Sequence, residues 1–276
     1  MGSFMIRTAF FVSGRTAITA EMLGHSLITQ FDDVSFRRIV LPFIDTEEKA
    51  LQAVAQIKAQ AEADQCRPVV FSTFISENLR QLFVMEEALT LDFFETFIGP
   101  LEKELERQSS HTAGKVHAIT NFEEYKDRID AVNFATTHDD GGMAKNLQDA
   151  DVILVGVSRA GKTPTCLYLA LQYGIKAANY PFTPEDFADH RLPKPLHPFR
   201  NKLIGITIEP ARLSQIRQSR KPDSQYAQLS TCEQEVALAE SLMQHENIPF
   251  LNTTRLSIEE LSTTIMVKAG LKRRCY

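Results

Sequence analysis

The stretch DVILVGVSRAGKTPTCLYLALQYG, residues 151–174, decides the fold. Val152 to Val155 is an unbroken apolar run, the pattern of a strand buried on both faces in a parallel sheet. Gly156 to Thr163 then matches GxxxxGK[ST] at every fixed position. The glycines let the backbone curl until successive N–H groups point into one concavity. The N-terminus of the following helix adds its own positive end. Lys162 offers a compact positive charge to outer phosphate oxygens, and the Thr163 hydroxyl is a ligand type that Mg²⁺ accepts beside phosphate oxygens and water. Pro164 falls in the first helical turn, where its missing N–H costs nothing, and Gly174 stops the helix. Gly156, Val157, Ser158, Arg159, Ala160, Gly161, Lys162 and Thr163 are therefore expected to hold the phosphates of a nucleotide. The competing reading is a glycine-rich turn with an incidental lysine. It does not account for the placement directly after a strand and directly before a helix.

Downstream, Ala177 to Tyr180 reads as a short strand, and residues 181–200 with five prolines read as an irregular excursion. Leu203 to Ile208 reads as a strand, Arg212 to Arg220 as a basic helix, Val236, Ala239 and Leu242 as one face of another helix. A last strand at Ile248 to Leu251 precedes a helix marked by Ile258, Leu261, Ile265 and Ala269. Upstream, strands are expected at Thr8 to Val12, Phe36 to Leu41 and Pro68 to Phe71. Helices are expected at Ala17 to Gln30, behind a Thr46 cap with Leu51, Val54, Ile57 and Ala61 on its face, and onward through Glu106. Alternating strands and helices imply parallel βαβ units. The expectation is an N-terminal Rossmann-like α/β domain over residues 1–107 and a C-terminal P-loop kinase-like α/β domain with a parallel sheet over 146–276. Between them lie a polar linker, a helix carrying Phe122, Tyr125, Ile129 and Val132, and a loop, together 108–145.

The bulk properties fit a globular protein that works in a reducing compartment. Of 276 residues, 43% are hydrophobic and 24% charged, and the four cysteines are too scattered for a disulfide framework or a zinc site. A formal charge of −5 gives no general attraction to nucleic acid or to an anionic membrane. The apolar run near the start is too short for a signal peptide or a spanning helix, so a cytoplasmic location is expected.

Two further constellations bear on chemistry. Thr137-His138-Asp139-Asp140-Gly141 places adjacent carboxylates in a loop. Phosphoryl transfer to a hydroxyl needs one carboxylate to orient the nucleophile or take its proton, and often a second to hold the metal. The bland alternative is a turn in which the aspartates bond local amides. Glu209, after the strand 203–208, is a weaker metal candidate, a position more often read as a strand end or a helix N-cap neighbour. The basic residues Arg212, Arg217, Arg220 and Lys221 read either as a lid that clamps a phosphoryl group or as a solvated face. No NKxD base-reading motif of a GTPase is present, since Asn201-Lys202-Leu203-Ile204 lacks the Asp.

The segment GVSRAGKTPTCLYLALQYGIKAANYPF (156–182) resembles the bacterial phosphoenolpyruvate synthase regulatory proteins and their relatives, the pyruvate, phosphate dikinase regulatory proteins. Further co-linear blocks carry the likeness: TAITAEMLGHSLITQF (16–31), NFATTHDDG (133–141), KLIGITIEPARLSQIR (202–217), PFLNTTRLSIEEL (249–261) and GLKRR (270–274). The resemblance implies a bifunctional enzyme. It would phosphorylate a threonine of phosphoenolpyruvate synthase with ADP as donor, and remove that phosphate with inorganic phosphate, releasing pyrophosphate. It implies ADP on Gly156 to Thr163, with Lys162, His138, Asp139 and Asp140 as catalytic candidates, and Mg²⁺ held through Thr163 and the phosphates. The expected partners are the synthase, a nucleotide and, as an open alternative, a second copy of the chain. Family members usually read Ser-Asp-x-Thr in the first turn, where this chain has Ser13-Gly14-Arg15-Thr16. Two other readings remain open at this point: a P-loop kinase of a small metabolite, and a non-catalytic nucleotide-sensing regulator.

Overall fold

The computed structural model describes residues 5–110, 112, 122–139, 146–188 and 191–274. The chain divides into two compact units, Met1–Ala118 and Ile119–Tyr276.

In the first unit the strands are β1 (Met5–Val12), β2 (Val34–Leu41), β3 (Val69–Ser72) and β4 (Leu89–Asp92), all parallel in the order β2-β1-β3-β4. The helices between them are α1 (Ile18–Ile28), α2 (Glu47–Asp64), α3 (Glu77–Leu82) and, after β4, α4 (Phe93–Leu105). Alternation along β1 shows why both faces need cover. Phe10 and Val12 join the cluster of Ala50, Ile57 and Phe83. Ala9 and Phe11 join Ala20, Phe71 and Phe93 on the other side. Thr46 caps α2 by accepting from Lys49 N–H, as its place before the helix foretold. The buried stripe of α2 is Ala50, Ala53 and Ile57, whereas Leu51, expected on that face, is exposed. Small side chains let the helix lie close to the sheet. The strand β4 interrupts what the sequence reads as continuous helix. It is a four-residue edge strand, Leu-Thr-Leu-Asp, alternately exposed and half-buried, and its Asp92 already caps α4.

In the second unit α5 (Phe122–Thr137) precedes β5 (Val152–Gly156), α6 (Lys162–Tyr173), β6 (Ala177–Pro181) and α7 (Pro184–Ala188). A 3₁₀ stretch over Lys194–Lys202 leads to β7 (Leu203–Thr207), α8 (Pro210–Arg220), α9 (Leu229–His245), β8 (Phe250–Asn252) and α10 (Ile258–Lys268). The sheet is parallel with the order β6-β5-β7-β8. Every residue of β5 and β7 is buried, as the apolar runs predict for central strands. The helix expected beside the linker packs into this core through Ala131 and Ala135 rather than through Tyr125 and Ile129, which are exposed. The Phe122 side chain lies outside the described ones, as does most of the segment 108–120. In each sheet the second strand adds to one side of the first and the third to the other. The crevice at the carboxyl ends of β5 and β7 is thus a topological switch point, the place where such sheets take ligands. Among the described residues no helix is long and apolar enough to cross a membrane.

Candidate functional site

The loop from β5 to α6 occupies that crevice. Gly156 has φ +142°, and a Cβ placed on it would sit 2.1 Å from the Ile206 carbonyl oxygen of β7. The close approach of two backbones therefore demands glycine. Gly161, with φ +99° and ψ 6°, is the N-cap of α6, a left-handed turn that swings the chain into the helix. Lys162 is 3% exposed and donates from Nζ to the Val157 carbonyl at 2.7 Å. The lysine is folded back over the loop, inside its curl.

Asp139, two residues past the end of α5, meets this loop. Thr163 Oγ1 donates to Asp139 Oδ1 at 2.7 Å, and Asn179 Nδ2 donates to the same oxygen at 2.6 Å. Asn179 Nδ2 also lies 3.1 Å from Thr163 Oγ1. The Asn179 backbone N–H donates to the His138 carbonyl at 3.0 Å, tying β6 to the segment that carries Asp139. One carboxylate, one hydroxyl and one amide thus form a triangle beside the phosphate loop. The sequence reading supplied two corners and missed Asn179. Its only signal was an amide side chain inside the short strand Ala177–Pro181, whose first three residues, Asn179 included, are buried. The carboxylate and lysine charges are felt by the buried Cys166 on α6. Burial pushes its thiol well above the ordinary range, the Asp139 charge raises it further, and Lys162 pulls it down.

The other candidates fall elsewhere. His138 is buried, its ring stacked on Phe134 at 3.9 Å, with Nδ1 donating to the Phe134 carbonyl at 2.9 Å. That bond closes the end of α5. Asp140 lies outside the described residues, as do Gly141 and Gly142. Glu209 is exposed at the N-cap of α8, its backbone N–H on Thr254 Oγ1 at 2.8 Å. Arg217, read as part of a basic lid, is wholly buried. Its Nη2 pairs with Glu235 Oε2 at 2.6 Å, and its guanidinium lies 3.9 Å from the Tyr226 ring centre. It cannot sweep over a bound phosphate; Arg212 and Arg220 of the same helix are exposed. Among the described residues no three His, Cys, Asp or Glu side chains cluster as a metal site. The Asp139 carboxylate and Thr163 hydroxyl are nevertheless hard oxygen donors, the kind Mg²⁺ takes when phosphates complete its shell.

A sequence profile of the kinase/pyrophosphorylase family matches residues 9–266. The chain belongs to that family. As a kinase/pyrophosphorylase family member it is a phosphotransferase, and the phosphate-loop geometry accords with that chemistry. It is 54% identical to a protein of Laribacter hongkongensis over 97% of this chain and 98% of the relative. It is 52% identical to one of Azoarcus sp. over the whole of both, and 51% identical to one of Marinobacter nauticus over 98% and 99%. All three bear the provisional name phosphoenolpyruvate synthase regulatory protein.

Proposed function

We propose that the chain is a bifunctional regulator of phosphoenolpyruvate synthase: an ADP-dependent threonine kinase and a phosphate-dependent phosphorylase that share one site. The observation that carries the reading is the Asp139–Thr163–Asn179 triangle set against the phosphate loop. The names of the relatives supply the target.

In the kinase direction the loop amides and Lys162 hold the ADP diphosphate. A threonine hydroxyl of the synthase attacks the β-phosphorus, and its proton passes to the Asp139 carboxylate. The bond from the β-phosphorus to the bridging oxygen breaks, and AMP leaves. In the phosphorylase direction inorganic phosphate takes the place of AMP. Its oxygen attacks the phosphothreonine phosphorus, the bond to the threonine oxygen breaks, Asp139 returns the proton, and pyrophosphate leaves. Both reactions thus place a phosphate oxygen, of AMP or of inorganic phosphate, on one side of the transferred group and a threonine oxygen on the other. One loop and one carboxylate serve both. Asn179 keeps the carboxylate turned toward the loop. Mg²⁺ held by Thr163, with Asp139 beside it, would neutralise charge on the phosphates.

The test is transfer of label from β-³²P-ADP to a phosphoenolpyruvate synthase, and its release as pyrophosphate on adding phosphate. No label on a synthase threonine would overturn the reading. Lys162→Ala is expected to slow transfer by about 10²- to 10³-fold with the fold retained by circular dichroism.

A further inference from the structure

The phosphate loop is held from behind by two side chains far away in sequence. Arg217 Nη2 donates to the Ser158 carbonyl at 3.1 Å, and Thr253 Oγ1 lies 3.0 Å from the Ala160 carbonyl. Arg217 is itself locked. Besides the Glu235 pair, its Nη1 donates to the Tyr226 carbonyl at 3.0 Å, and the Tyr226 hydroxyl reaches Ser158 Oγ at 3.1 Å. Thr253 follows β8, and its N–H donates to the Thr207 carbonyl at 2.9 Å. The hydroxyl is also 3.1 Å from that carbonyl. Since the carbonyl already has the N–H, the partner that depends on the hydroxyl is Ala160.

A trans peptide points its C=O and the next N–H in opposite directions. Fixing the Ser158 carbonyl therefore fixes the N–H of Arg159, and fixing the Ala160 carbonyl fixes the N–H of Gly161. Among the described residues neither N–H meets an acceptor in the protein. Arg159 holds φ +73°, a left-handed conformation that a non-glycine residue adopts only when its surroundings impose it.

We propose that Arg217 and Thr253 are positioning residues, which hold two carbonyls of the loop outward so that the N–H groups of Arg159 and Gly161 face the bound phosphates. The proposal rests on the phosphate-loop reading above. It removes Arg217 from the set of groups that touch the nucleotide and gives it, with Thr253, control of nucleotide affinity from behind the loop.

Thr253→Val keeps the shape and deletes the hydroxyl, and Thr253→Ser keeps the hydroxyl. Affinity for ADP and for inorganic pyrophosphate would be measured by titration calorimetry, with melting temperature recorded alongside. Thr253→Val is expected to weaken both ligands about tenfold, the loss of one hydrogen bond's worth of preorganisation. Thr253→Ser is expected to restore them to within about twofold. In transfer assays the change falls on KM for ADP and not on KM for the synthase. Arg217→Lys, which keeps charge but loses the planar fork, is expected to act in the same direction. Lys162→Ala is the control. If it weakens binding while Thr253→Val does not, or if Thr253→Val lowers only the melting temperature, the positioning role is overturned. If Lys162→Ala also binds normally, the phosphate-loop reading itself fails. Should Arg217→Lys fail to fold, the Thr253 pair still decides.

Discussion

The two units share a strand order and the length of the first turn, yet only the second carries the GxxxxGK[ST] pattern on that turn. Each sheet places its first strand between the second and the third. The turn after that strand has the same number of residues in both, Ser13 to Ala17 and Val157 to Gly161. Both turns end in a left-handed N-cap, Ala17 at φ 62°, ψ 5° and Gly161 at φ 99°, ψ 6°. The residues that follow differ. Ile18 and Thr19 open α1, whereas Lys162 and Thr163 open α6. Two residues before the end of the first strand, Phe10 pairs with Ile39, while Leu154 pairs with Asn179. In the first unit a cavity of about 570 Å³ lies at this end of the sheet, lined by residues that include Arg15, Asp45 and Thr73. A backbone mouth is thus common to both, and the buried lysine, together with the carboxylate that meets Thr163 and Asn179, belongs to one. The fold supplies the place, and a few side chains supply the chemistry.

The sharpest way to break this comparison is to put a methyl group at the mouth of each sheet, on Gly156 at the end of β5 and on Gly14 in the turn after β1. In Gly156→Ala the new Cβ would lie 2.1 Å from the Ile206 carbonyl oxygen, a backbone atom of a central strand, at φ +142°. The expected cost exceeds about 4 kcal/mol, enough to unfold the second unit or to abolish nucleotide binding. In Gly14→Ala the nearest atom is the Ile44 carbonyl oxygen at 3.3 Å. The expected cost is within about 1 kcal/mol. Calorimetric unfolding of both variants reads the difference, and equal losses would mean that the two mouths are under the same constraint after all.

The chemical difference is tested at the paired strand position. Asn179→Leu makes the second unit resemble the first there, filling the space with carbon. It takes from Asp139 one of the two donors on its Oδ1 and leaves the Thr163 hydroxyl as the other. Transfer to the synthase is expected to slow about 10- to 100-fold, the range seen when a group that orients a functional ligand from behind is removed. The melting temperature is expected to change little. A rate equal to the parent's would show that Asp139 holds its orientation without the amide.

What the sequence disclosed follows the range of the interactions. The phosphate loop, its strand and its helix are adjacent in the chain, so periodicity and glycine spacing reveal them together. The central strands are apolar runs and were equally legible. By contrast β4 is short, half-polar and runs directly into the cap of α4, so nothing local separates it from the helix. Asn179 takes its role from a carboxylate 40 residues away. Arg217 looks like a surface charge on a basic helix until Glu235 and Tyr226, from later in the chain, enclose it. Composition alone could not tell a clamp over the nucleotide from a brace beneath the loop.

The smallest expected effects concern how each unit fastens a helix to its sheet. Thr46 caps α2 with a single bond, accepting from Lys49 N–H at 3.3 Å. Ser257 caps α10 with a reciprocal pair: its Oγ accepts from Glu260 N–H at 3.2 Å, and Glu260 Oε2 accepts from Ser257 N–H at 2.9 Å. Two donors are satisfied at the start of α10 where one is satisfied at the start of α2. Ser257→Ala is expected to cost about 1–2 kcal/mol and Thr46→Ala about 0.5–1 kcal/mol. Urea unfolding followed separately for each unit distinguishes the values. A larger loss at Thr46 would place the tighter helix fastening in the unit without the phosphate loop, since the cap geometry alone predicts the reverse order.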